Sequence, residues 1–235
     1  MNQGSLSEDL LQELRQLWTE SFHCLLSTHS TKYEGYPFGS LLPICRDGKG
    51  NPLMLISHLA QHTRNLDDDP HCALMLTKGD HADVQQWARL TCLADAEPVS
   101  SSTAVERYCR YYPESRRYHK ELNFHLYRLQ PKQFYFIAGF GSARWFDVSR
   151  ILDQPVFATA SELELIYQLN AHEHDILRNY FTNRGLAIGN PMHAVGADPR
   201  GIDLRMGERL VRHHFEHPVA DEAEFMAHLR SAAKD

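Results

Sequence analysis

The apolar positions change rhythm along the chain. Leu10, Leu14, Leu17 and Trp18 recur at helical spacing, and Ser5 with Glu8 forms a capping pair ahead of them, so a helix is expected over 5–19. Short apolar runs follow at 22–27, 38–45, 52–57, 73–77 and 88–94, and each reads as a strand. RDGKGN separates the second from the third; its Asp-Gly and Gly-Asn pairs accept positive φ and predict a hairpin. A short polar helix at 58–69 is stopped by Pro70, and Ser100–Ser102 cap a helix over 103–111 that Pro113 closes. Strands at 123–129 and 133–138, joined by a QPK turn, complete a set of about seven. Strands so short and closely spaced predict a barrel or sandwich.

After 153 the texture changes. Ser161 with Glu164 opens one long helix, ELELIYQLNAHEHDILRNYF. Strands are expected at 192–197 and 201–205, joined by ADPRG, with a third at 215–218. Asp221 with Glu224 caps a final helix ending near 232. The organisation predicted is 1–153 as one domain and 154–235 as a small α+β domain.

Charge and cysteine usage narrow the function classes. A formal net charge of -6 over 235 residues argues against nucleic acid as the main partner. Five widely spaced cysteines without a CxxC pair suit reduced thiols in the cytoplasm, with Cys24, Cys45 and Cys92 as inert core thiols. The polar start MNQGSLSEDLLQEL is not a signal peptide, and no apolar run reaches membrane-spanning length. Trp87 and Trp145 read as core or interface residues.

One stretch concentrates candidate chemistry. Ser57 ends a strand, and His62, Thr63 and Arg64 follow one turn later, with Ser40 within reach on the paired strand. A buried anion needs converging cations, N–H groups and hydroxyls, and this cluster offers them. The alternative is that Ser57 caps the helix, His58 and His62 are solvated, and Arg64 pairs with Asp67 or Asp68. His172 and His174 stand two apart on a helix and point to different faces, so no joint metal site is expected. His213, His214 and His217 beside Glu216 read as edge histidines. AGFGSA, at 138–143, lacks the full dinucleotide pattern and reads as tight barrel backbone. No metal site and no general acid or base stands out.

Taken together, GYPFGSLLPI (35–44), LMLISHLAQHTRNLDDDPHCALML (53–76), YYPES (111–115) and AGFGSA resemble the FMN-binding split-barrel superfamily typified by pyridoxamine 5′-phosphate oxidase. The closer likeness is to the HugZ/HutZ-type haem-utilisation proteins. LNAHEHD (169–175) and DPRGIDLR (198–205) resemble a small domain fused to such barrels. The resemblance implies an α+β fold with an N-terminal split β-barrel, a homodimer, and a planar cofactor, FMN or haem, in clefts between subunits. It implies Ser40, Ser57, His62, Thr63 and Arg64 as the cofactor-binding set, with Arg64 in the part that a basic pair plays in the flavin oxidases. Three functions follow: a haem-utilisation protein, an FMN-dependent oxidoreductase or flavin reductase, or a binding module that has lost the cofactor.

Overall fold

The computed structural model describes residues 3–79, 82–139, 142–152, 157–185, 189 and 191–231. It divides into two compact units, Met1–Gln154 and Pro155–Asp235.

The first unit opens with helix α1 (Gln3–Glu20), which starts ahead of Ser5, so Ser5 lies within it rather than capping it. Its apolar stripe, Leu10, Leu11, Leu14, Leu17 and Trp18, is buried in the barrel core, with Trp18 edge-on to Phe134 at 4.9 Å. The strands are β1 (His23–His29), β2 (Pro37–Pro43), β3 (Cys45–Arg46), β4 (Pro52–Ser57), β5 (His71–Lys78), β6 (Ala88–Pro98), β7 (Phe124–Ala138) and β8 (Ala143–Phe146). Between them lie α2 (Gln61–Asp68), α3 (Ser102–Tyr111) and α4 (Ser115–Glu121), and α5 (Ser149–Leu152) follows β8. All pairings are antiparallel, in the order β2-β1-β5-β6-β7-β4-β3, with β8 on β7. The two edges of this sheet, β2 and β3, are one chain run bent at Ile44, so the sheet curls back on itself as a split barrel.

That bend corrects the expected 38–45 strand. The run is not one arm of a long hairpin: β2 pairs with β1 over its whole length, and only Cys45 and Arg46 pair with β4. The turn itself stands, because the Asp47 carboxylate accepts from the N–H groups of Lys49 and Asn51 at 2.9 Å each. The bend is held from outside the sheet. The Tyr108 hydroxyl donates to the Pro43 carbonyl at 3.1 Å, the Tyr112 hydroxyl is shared between the carbonyls of Phe22 and Ile44, and Arg107 Nε donates to the Arg46 carbonyl. The region around YYPES is thus the clasp of the barrel, and it includes α4, which periodicity did not reveal.

The expected QPK turn is also absent. Residues 124–138 form one strand, with a register shift opposite Leu93 and Ala94 that places Pro131 across from Ala94 and Gln133 across from Leu93. The bulge accommodates a residue that has no N–H for the ladder. Ser101, the middle serine of the triplet, caps α3 by accepting from the Ala104 N–H at 3.3 Å.

The second unit has helices α6 (Thr159–Ala171), α7 (His174–Asn183) and α8 (Glu222–Ser231) and a three-stranded sheet, β11-β10-β9, of β9 (Met192–Asp198), β10 (Gly201–Met206) and β11 (Arg209–His214). The expected single long helix is broken at His172 and Glu173, whose N–H groups both return to the Gln168 carbonyl. Asn170 sets the break by bonding both the N–H and the carbonyl of Ala194, at 2.9 Å each. The third strand is Arg209–His214, not 215–218; Phe215 instead packs into the unit's apolar core. Asp221 caps α8 as expected, accepting from the Glu224 N–H at 2.8 Å.

Candidate functional site

The site is built where β4 runs into α2. The Ser57 carbonyl accepts from the Ala60 N–H at 3.0 Å and from the Thr63 hydroxyl at 2.6 Å, while Ser57 Oγ accepts from the Leu59 N–H at 3.2 Å. These bonds turn the chain through one tight loop and start the helix. Thr63 is 2% exposed, so its hydroxyl belongs to the turn.

The keystone of this corner is Asn65, fully buried on the inner face of α2. Its Oδ1 accepts from the Thr31 N–H at 3.0 Å, the Thr31 hydroxyl at 3.0 Å and Gln61 Nε2 at 2.8 Å; its Nδ2 donates to Thr28 Oγ1 at 2.8 Å. One amide ties α2 to the end of β1. On the same helix Tyr127 donates to Asp67 at 2.6 Å.

The five expected site residues fall into three groups. Ser40 Oγ and His62 Nδ1 meet at 3.1 Å, and His62 Nε2 is enclosed with no hydrogen-bond partner among the described residues. Burial lowers the His62 pKa, which favours the neutral ring. Ser57 and Thr63 form the turn. Arg64 stands apart on the exposed face, and its guanidinium has no hydrogen bond or ion pair among the described residues. The expected alternative partners Asp67 and Asp68 do not hold it. Arg64 is thus an available cation on α2.

Two further histidines border the corner. His58 Nδ1 lies 3.1 Å from the Asn123 carbonyl, and His119 Nδ1 lies 2.9 Å from the Phe124 carbonyl. Both carbonyls belong to the start of β7, where Asn123 takes φ 53° and Phe124 pairs with Ser57. No sequence signal marks these contacts, because they join positions 65 and 5 residues apart through backbone carbonyls. Leu59 and Leu122, chain neighbours of His58 and Asn123, are exposed. Among the described residues no group of three or more His, Cys, Asp or Glu side chains is placed to hold a metal ion. AGFGSA includes residues 140 and 141, which lie outside the described residues.

The outer face of the barrel carries a second feature. Leu41, Leu25, Met75, Thr91, Tyr135 and Trp145 stand opposite one another on six neighbouring strands and so form one uncharged row. The next row, Gly39, Ser27, Ala73, Leu93 and Gln133, is uncharged too. Leu41 is 67% and Trp145 57% exposed, so Trp145 is no core residue. Tyr135 and Trp145 pack with ring centroids 4.8 Å apart.

Comparison with known proteins supplies the family. The model of the CREG β-barrel matches residues 11–150, the described barrel from within α1 to α5. The chain belongs to the CREG β-barrel family. It is 32% identical over 135 residues, 57% of its length, to the non-canonical heme oxygenase HOZ of Arabidopsis thaliana chloroplasts. It is 30% identical over 118 residues, 47% of its length, to the heme oxygenase HutZ of Vibrio cholerae. These matches span 41% and 66% of the two relatives' own lengths. A solved structure of a protein of unknown function from Agrobacterium tumefaciens shares the fold, at TM-score 0.78 and 22% identity, covering 98% of this chain and 97% of that one.

Proposed function

We propose that the barrel binds haem at the corner where β4 meets α2, and that the chain serves haem utilisation. The observation that carries this reading is the placement of Arg64: an exposed guanidinium without a partner among the described residues, inside the stretch 11–150 that the family model matches, in a chain similar to two relatives named heme oxygenases. A haem propionate needs such a cation. The neighbouring His62 nitrogen without a partner supplies a second polar contact once the enclosing side chains shift. Haem, when bound, supplies redox chemistry; this chain's residues supply placement and charge.

The same geometry weighs against FMN. A ribityl phosphate is a dianion that calls for several donors, and the Thr63 hydroxyl is spent on the Ser57 carbonyl. That leaves Arg64, the Ser57 O–H and the Ser40–His62 pair. A second copy of the chain is the partner that fits the uncharged outer rows, since two such faces meet without burying like charges. Five free, buried cysteines suit a reducing compartment, which supports the cytoplasm as the site of action. No helix among the described residues is long and apolar enough to cross a membrane.

Absorption titration of the purified protein with haemin and with FMN tests the proposal. Saturable growth of a Soret band with haemin, and no saturable change with FMN, is the expected result. A saturable flavin spectrum without a haemin response would move the assignment to a flavin oxidoreductase. Binding of neither would leave the barrel as a module without cofactor.

A further inference from the structure

A carbonyl oxygen only accepts hydrogen bonds, so the two rings that bond the start of β7 have Nδ1 fixed as a donor. His58 Nδ1 must carry hydrogen to bond the Asn123 carbonyl at 3.1 Å, and His119 Nδ1 must do so to bond Phe124 at 2.9 Å. In the neutral ring, Nε2 is then a bare lone pair. This is the arrangement that orients metal-ligating histidines, in which the outer nitrogen donates to a carbonyl and the inner one meets the metal. Neither Nε2 has a partner among the described residues.

The two rings differ in access. His58 is exposed and lies on the loop that leads directly into α2 and Arg64, whereas His119 is half-buried on α4. The exposed Leu59 and Leu122 adjoin the His58–Asn123 contact, so apolar surface, a bare imidazole nitrogen and an unpaired cation occur together. These are the three kinds of group that hold a haem: a face, an axial ligand and a partner for propionate.

His62 and His71, on α2 and β5, lack the combination. His62 Nε2 is enclosed, and its Nδ1 meets a hydroxyl that either donates or accepts, so its tautomer is not fixed. His71 donates to Asp69 at 2.6 Å, but Asp95 stands opposite it in the ladder and Asp68 lies nearby in the chain. Those carboxylates repel propionates.

We propose that His58 is the axial ligand to the haem iron, held in its ligating tautomer by the Asn123 carbonyl. The proposal rests on the haem-binding reading above. The test is haemin titration of the full chain, wild type against His58→Asn, His119→Asn and His71→Asn, followed through Soret position and affinity. Asparagine places an amide nitrogen near the position of Nδ1, so His58→Asn keeps a donor for the Asn123 carbonyl and removes only the ligating atom. The expected result is a shifted Soret band and an affinity loss in His58→Asn larger than the roughly 10–100-fold that follows loss of an outer-shell partner. Free imidazole should return the band towards its wild-type position, which a folding defect would not allow. The other two variants should keep the wild-type spectrum. A wild-type spectrum and affinity in His58→Asn, or a shift confined to His119→Asn or His71→Asn, overturns the ligand assignment while haem binding stands. No saturable haemin binding by the wild type overturns both.

Discussion

Asn65 and Arg64 are adjacent in sequence and opposite in role. The Asn65 amide faces inward and makes four hydrogen bonds with complete burial; the Arg64 guanidinium faces outward and makes none among the described residues. Replacing Asn65 with alanine takes the amide donor from the buried Thr28 hydroxyl, at a cost of about 1–3 kcal/mol. Equilibrium denaturation in urea should show that loss. Arg64→Ala touches no partner, so its stability should stay within about 0.5 kcal/mol of wild type, while its haemin affinity falls by about tenfold, the loss of one charge-assisted contact worth roughly 1.4 kcal/mol. Unchanged affinity would remove Arg64 from the site. At this scale the sequence showed which residue types gather but not which way each points. Ser57, Thr63 and Arg64 look alike as polar site residues, and only the turn separates the two that hold the backbone from the one that is free.

Among the elements, those with strong local signals were legible. The helix caps at Ser101 and Asp221 and the Asp47 turn are set by neighbours a few residues away. The expected starts at Ser5 and Ser161 failed, since α1 begins at Gln3 and α6 at Thr159; the other failures arose where distant contacts decide. Pro131 reads as a turn until β6 lies beside it, and residues 162–181 read as one helix until Asn170 binds β9. The second unit also joins three elements through one phenol: the Tyr180 hydroxyl lies 3.0 Å from His213 Nε2 and 3.1 Å from His228 Nε2, linking α7, β11 and α8. Burial, with Arg184 nearby, pushes the His213 pKa down from 6.5 to about 4, and burial lowers His228 as well. A folded pKa below the unfolded one means that the unfolded chain takes up the proton first. The stability that neutral His213 contributes is therefore present above pH 6.5 and lost as pH falls towards about 4. Unfolding midpoints measured across that window should decline, and His213→Gln should flatten the decline.

For the whole molecule, the barrel could be read from strand density and the family motifs, because alternating apolar runs encode which face is inward. How the sheet closes could not, since closure depends on three side chains of α3 and the residue after it reaching the bend at Ile44. The core thiols follow from the same burial, which raises Cys24 and Cys72 to about 12. A thiol reagent should leave all five cysteines largely unmodified until denaturant is added. The outer rows yield a further prediction. Leu25→Arg puts a charge in the middle of the uncharged face, and sedimentation should show a dimer for the wild type and a monomer for the variant. A wild-type monomer would contradict the second-copy reading.

The proposed haem site is the corner formed by β4, α2 and the start of β7. Amide hydrogen exchange of the full chain, with and without haemin, tests it most directly. New protection is expected to concentrate in 57–66 and 119–125, with 157–231 unchanged. Protection confined to 157–231, or none in the presence of saturating haemin, would contradict it.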